Sequence, residues 1–111
     1  MTTRNQGTCL RFYVHENRRH RGILLYEWLL EQARKSGIHG GTAYRAIAGF
    51  GSHGTMHEQH FFELAGDLTV RVDFVVADND AERLIALAET EKLTVFYVLF
   101  PVEFGTTGTG G

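Results

Sequence analysis

Three histidines, His53, His57 and His60, stand four and three residues apart in a glycine-rich stretch. Neutral imidazoles at such spacing can ligate zinc or copper, with Glu58 or Glu63 as a further donor. Just before them runs Gly49-Phe50-Gly51-Ser52. Glycines there let the backbone approach a ligand closely, and the Ser52 hydroxyl can donate to it. Arg45, four residues upstream of Gly49, offers a planar fork of donors suited to a phosphate or to an acid of a neighbouring subunit. A basic run, Arg18-Arg19-His20-Arg21, is either a solvated loop or an anion site. Catalytic sets are missing. Ser36 and Ser52 are the only serines and neither sits in a nucleophile elbow, and no phosphate-binding loop motif occurs. Cys9 is the single cysteine and has no fixed partner, so a disulfide within the chain is excluded and a reducing compartment fits. The expectation is a protein that binds rather than catalyses.

The elements that must position these residues follow from periodicity. The chain has 111 residues, 43% apolar and 22% charged, with a formal net charge of −2. That is one globular domain without the basic field of a nucleic-acid binder. No apolar run spans a bilayer and the start is polar, so a soluble cytoplasmic protein is expected. Residues 1–7 read as a flexible leader, 8–104 as the domain, and the Gly/Thr segment 105–111 as a flexible tail. Cys9 to His15 alternates with period two, which predicts a strand. Leu25, Trp28, Leu29, Gln32 and Ala33 recur at three and four, predicting an amphipathic helix over 23–36 that Gly37 terminates. Residues 42–50 read as a second strand and 70–76 as a third. Asn79 to Glu82 resembles a capping box opening a helix over 80–91. The apolar run 93–100 predicts a last strand covered on both faces, ending at Pro101.

The order strand, helix, strand, strand, helix, strand predicts an α+β ferredoxin-like βαββαβ sandwich: an antiparallel sheet with two helices on one face. Tyr13, Val75, Phe96, Val98 and Phe100 then fall on the other face, which needs a cover such as a second subunit.

The stretch from Gly40 to Gly51 resembles the second strand and Gly-Phe-Gly turn of PII signalling proteins. With Leu10 to Val14, Leu25-Tyr26-Glu27, Met56-His57 and Leu64 to Val70, it is most similar to the PII-like group catalogued as domain of unknown function 190. The resemblance covers roughly residues 8–102 and implies a homotrimer whose sheets face inward. It implies adenine-nucleotide sites between subunits and a protein target, such as a membrane transporter, and no required cofactor. Carried onto this sequence, the expected ligand residues are Arg45, Gly49, Phe50, Gly51, Ser52, His57, Phe100 and Glu103. One departure stands out. The glycine-rich phosphate cradle of ATP-binding PII proteins is replaced by Thr90-Glu91-Lys92, where Glu91 would repel phosphate. AMP, ADP or a cyclic nucleotide is therefore expected to bind better than ATP. The alternative is a metal-binding trimer using His53, His57 and His60, similar to copper-tolerance proteins of the same fold.

Overall fold

The computed structural model describes residues 3–50 and 68–108. Strand β1 spans Thr3–His15, followed by two short strands, β2 (Arg19–His20) and β3 (Ile23–Leu24). Helix α1 (Leu25–Lys35) leads to β4 (Thr42–Arg45), then β5 (Thr69–Val76), α2 (Asp78–Thr90) and β6 (Phe96–Thr106). The main sheet has the order β4-β5-β1-β6, and its neighbours all run antiparallel. This is the ferredoxin-like arrangement expected from the element order.

Alternation decides which side each strand buries. Leu10, Phe12 and Val14 of β1 and Val70, Val72, Phe74 and Val76 of β5 face the helices and are buried. Leu25, Trp28, Leu29 and Ala33 of α1 and Ala81, Leu84, Ile85 and Ala88 of α2 close over them. All but Ala88 belong to one continuous core. Phe12 and Phe74 meet edge to face at 6.4 Å in its centre.

Helix α1 ends as its glycine predicts. Gly37 takes φ +89°, its N–H bonds to the Arg34 carbonyl, and the Ile38 N–H reaches back to the Ala33 carbonyl. This pair of bonds is a Schellman motif. Helix α2 ends the same way without glycine: Lys92 takes φ 59°, and the N–H groups of Lys92 and Leu93 bond to Glu89 and Ala88.

Several boundaries differ from expectation. Residues 23 and 24 form β3 rather than opening α1, because the basic run folds into a hairpin. Its turn places Arg21 at φ 53° and Gly22 at φ 85°, the geometry that matches strand twist. Helix α2 starts at Asp78, so Asn79 is inside it and no side chain caps it. Asp78 and Asp80 instead place negative charge in its first turn. Strand β4 stops at Arg45 instead of Phe50. After the Ala46 N–H bonds to Thr69, the chain leaves β5, and Ile47 is 97% exposed.

The pairing also reaches into both segments expected to be loose. Thr3 to Gly7 pairs with Val102 to Thr106, beyond the end of β5. Pro101 does not end the ladder. It sits opposite Thr8 in β6, an edge strand, where a missing N–H is tolerated. As an edge, β6 is not covered on both faces in the single chain: Phe96 is 67% exposed.

Candidate functional site

Arg45 is the last residue of β4 and pairs with Val70 of β5, so it lies on the helix side of the sheet. There it borders an open cleft of about 340 Å³, lined also by Glu16, Asn17, Leu24 and Tyr26. Glu16 follows the end of β1. Its Oε1 accepts from Arg45 Nε at 2.6 Å and its Oε2 from Nη2 at 3.1 Å. This bidentate bond holds the Glu16 carboxyl below the usual carboxylate range. The Glu16 N–H also bonds to the Leu68 carbonyl at 2.8 Å. Glu16 therefore ties the end of β4 to the start of β5. No local pattern in the sequence marks Glu16 as part of a site. Only the strand register brings it to an arginine 29 positions away.

Of the other expected ligand residues, Phe100 and Glu103 lie away from Arg45 in the single chain. Gly49 and Phe50 follow β4. Among the described residues, a Cβ on Gly49 would meet nothing within 4 Å. Phe50 is 81% exposed. Gly51, Ser52, His53, His57 and His60 lie outside the described residues, as do Glu58 and Glu63. Among the described residues, no group of three His, Cys, Asp or Glu could hold a metal.

Phe100 and Glu103 are on β6, at the opposite edge of the sheet from β4. Phe100 is opposite Cys9 and Glu103 opposite Gln6, whereas Arg45 is level with Val14. Three strand spacings and five to eight residues of rise put them roughly 20–30 Å from Arg45. Phe100 also faces the open side, beneath the Arg11 guanidinium at 5.2 Å. A single chain cannot bring both edges to one ligand.

The basic run is engaged with its own chain. Arg18 Nη1 donates to the Thr94 carbonyl at 2.7 Å. Arg21 Nε and His20 Nε2 both lie 2.8 Å from Glu91 Oε1, and the His20 ring sits edge-on to Trp28. Arg21 and His20 hold the Glu91 carboxyl below the usual range. The charge expected to repel phosphate is thus balanced internally, and it locks the hairpin onto the α2–β6 turn.

The open face carries a second constellation. Asp73 accepts from Arg11 at 3.0 Å, and Arg71 approaches it at 3.2 Å. Arg71 also stacks over Tyr44 at 4.4 Å. Tyr13 packs on Phe96 at 5.7 Å. Cys9 is buried beneath, and burial pushes its thiol pKa up, which suits an inert thiol.

This strand order and its two-helix cover are those of PII-like signalling proteins. A PII-like signalling protein from Thermus thermophilus superposes with a TM-score of 0.61 at 17% identity, covering 91% of this chain and 90% of the other. CPII from Thiomonas intermedia K12, a nitrogen regulatory PII-like protein solved with ADP, AMP and bicarbonate, gives 0.61 at 20% identity over 94% and 92%. The chain belongs to the DUF190 family, described as "Uncharacterized ACR, COG1993", whose model matches residues 7–102. Among curated relatives, a UPF0166 protein of Aquifex aeolicus is 32% identical over 76 residues, 68% of this chain and 72% of that one. A UPF0166 protein of Methanocaldococcus jannaschii is 29% identical over 80 residues, 72% and 73% of the two chains. Among the described residues, no helix is long and apolar enough to cross a membrane.

Proposed function

We propose that this protein is a regulator, not an enzyme, that senses an adenine nucleotide in clefts between the subunits of a homotrimer. The observation that carries the reading is that a PII-like protein of the same fold was solved with ADP and AMP bound. Two features of this chain support it. Arg45 stands at the mouth of a cleft at one sheet edge, and Phe100 and Glu103 stand at the other, so only neighbouring chains can join them. The open sheet face also presents Phe96, Val75 and Tyr44 well exposed, as a surface awaiting a partner.

The expected ligand set remains Arg45, Gly49, Phe50, Gly51, Ser52 and His57 from one chain, with Phe100 and Glu103 from its neighbour. The regulated partner is a protein target, and a membrane transporter is the class that the PII resemblance implies. A phosphate-poor nucleotide suits the site. Each charged hydrogen bond contributes on the order of 1.5–3 kcal/mol, and Arg45 is the one cation among the described lining residues. Calorimetric titration with AMP, ADP, ATP and cyclic AMP tests the reading. Micromolar binding of AMP or ADP, weakened at least tenfold by Arg45→Ala, is expected. ATP binding tightest and indifferent to that change would refute it.

A further inference from the structure

Arg45 is not an unmodified cation. Glu16 occupies its Nε and Nη2, one long edge of the guanidinium, and leaves Nη1 outside the pair. The two side chains are unequally exposed, 59% for Arg45 and 11% for Glu16. The acid is thus the inner, fixed member, and the arginine presents its outer end to solvent. Glu16 is fixed twice over, since its backbone N–H is bonded to Leu68. No lysine or second arginine lines the cleft among the described residues. The pair is therefore net neutral.

A free guanidinium attracts an anion in proportion to its charge. A guanidinium backed by a carboxylate can still donate two directed bonds to one phosphate. Every further phosphate then meets the field of Glu16 without gaining a donor, and the interaction of unit charges in a partly buried cleft is a sizeable fraction of binding energy.

We propose that Glu16 sets the charge selectivity of the nucleotide site, aiming the outer end of Arg45 at a single phosphate and disfavouring ligands with more. This rests on the nucleotide reading above and adds the residue that discriminates among nucleotides.

The test compares AMP and ATP affinities in the wild-type chain, Glu16→Gln, Glu16→Asp and Glu31→Gln. Glu31 pairs with Arg34 on the outside of α1, so its change removes one charge away from the cleft. Glu16→Gln is expected to raise the ATP-to-AMP affinity ratio about tenfold. Glu16→Asp, which keeps the charge, and Glu31→Gln are expected to leave the ratio within about twofold. An unchanged ratio in Glu16→Gln overturns the proposal, as does an equal rise in Glu31→Gln. Should Glu16→Gln fail to fold, Glu16→Asp still decides, because a lost AMP preference with the charge kept overturns it. Should the wild type bind no nucleotide, the nucleotide reading falls by itself. Inorganic phosphate and tripolyphosphate, followed through the Arg45 Nε–H resonance, then probe the pair directly. Tripolyphosphate gaining on phosphate only in Glu16→Gln upholds the role of Glu16, and equal responses overturn it.

Discussion

Glu91 shows how a residue's meaning changes once its neighbours are known. Read along the chain, it is a negative charge where a related fold cradles phosphate. In the structure it is the anchor of the β2–β3 hairpin, bonded by Arg21 and His20. Its carboxyl pKa is lowered on folding. A group with a depressed folded pKa adds stability above its unfolded value, about 4.3 for a glutamate, and that stability is lost as pH falls through the folded value. Glu91→Gln should therefore be less stable than the wild type at pH 7, with the gap closing as the pH drops below that range. Urea midpoints across pH 3 to 7 measure it, and a gap independent of pH would contradict the ion-pair account. Neither this pairing nor Glu16 with Arg45 was legible in the sequence. Both join residues whose closeness depends on strand register and a hairpin turn, and no local periodicity encodes that.

Elements were legible where periodicity and burial coincide. Strand β5 was placed within a residue, because Val70, Val72, Phe74 and Val76 alternate onto a buried face. The stripe of α1 was read correctly for the same reason. Ends without such a signal were not. Thr3 to Gln6 are polar and exposed, and they are strand only because Glu103 to Thr106 return alongside them. Gly7 marks how tightly they return. A Cβ there would collide with the Val76 carbonyl oxygen and the Phe104 ring, whereas among the described residues a Cβ on Gly40 would meet nothing within 4 Å. Gly7→Ala should cost about 1–3 kcal/mol by overpacking, while Gly40→Ala stays near neutral. Denaturant unfolding of both variants checks the contrast, and equal stabilities would show that the β1–β6 pairing is slacker than described.

For the whole molecule, the sequence foresaw a sheet with one face too apolar for water, and the structure puts Phe96, Val98 and Phe100 there together. The proposed assembly through this face would make Phe96 a sharp probe. It is 67% exposed in the single chain and packs on Tyr13, so Phe96→Glu should cost an isolated subunit no more than about 1.5 kcal/mol. Buried between subunits, the same unpaired charge costs several kcal/mol. Light scattering at micromolar concentration should give three chains for the wild type and one for the variant, with circular dichroism unchanged. A monomeric wild type would exclude the trimer.

The tie at Glu16 reaches further than ligand choice. With Ala46 bonded to Thr69, Glu16 bonded to Leu68 and Arg45 bonded to Glu16, the chain leaves and rejoins the sheet through a closed neck. Among the described residues, those below the neck form one continuous core. Once such a neck is formed, doubling the length of chain it subtends adds only about 0.6 kcal/mol of closure entropy. Over evolutionary time, the segment between residues 46 and 68 can therefore change in length at little entropic cost, with the expected ligand residues Gly49 to Ser52 and His57 as the part that must be kept.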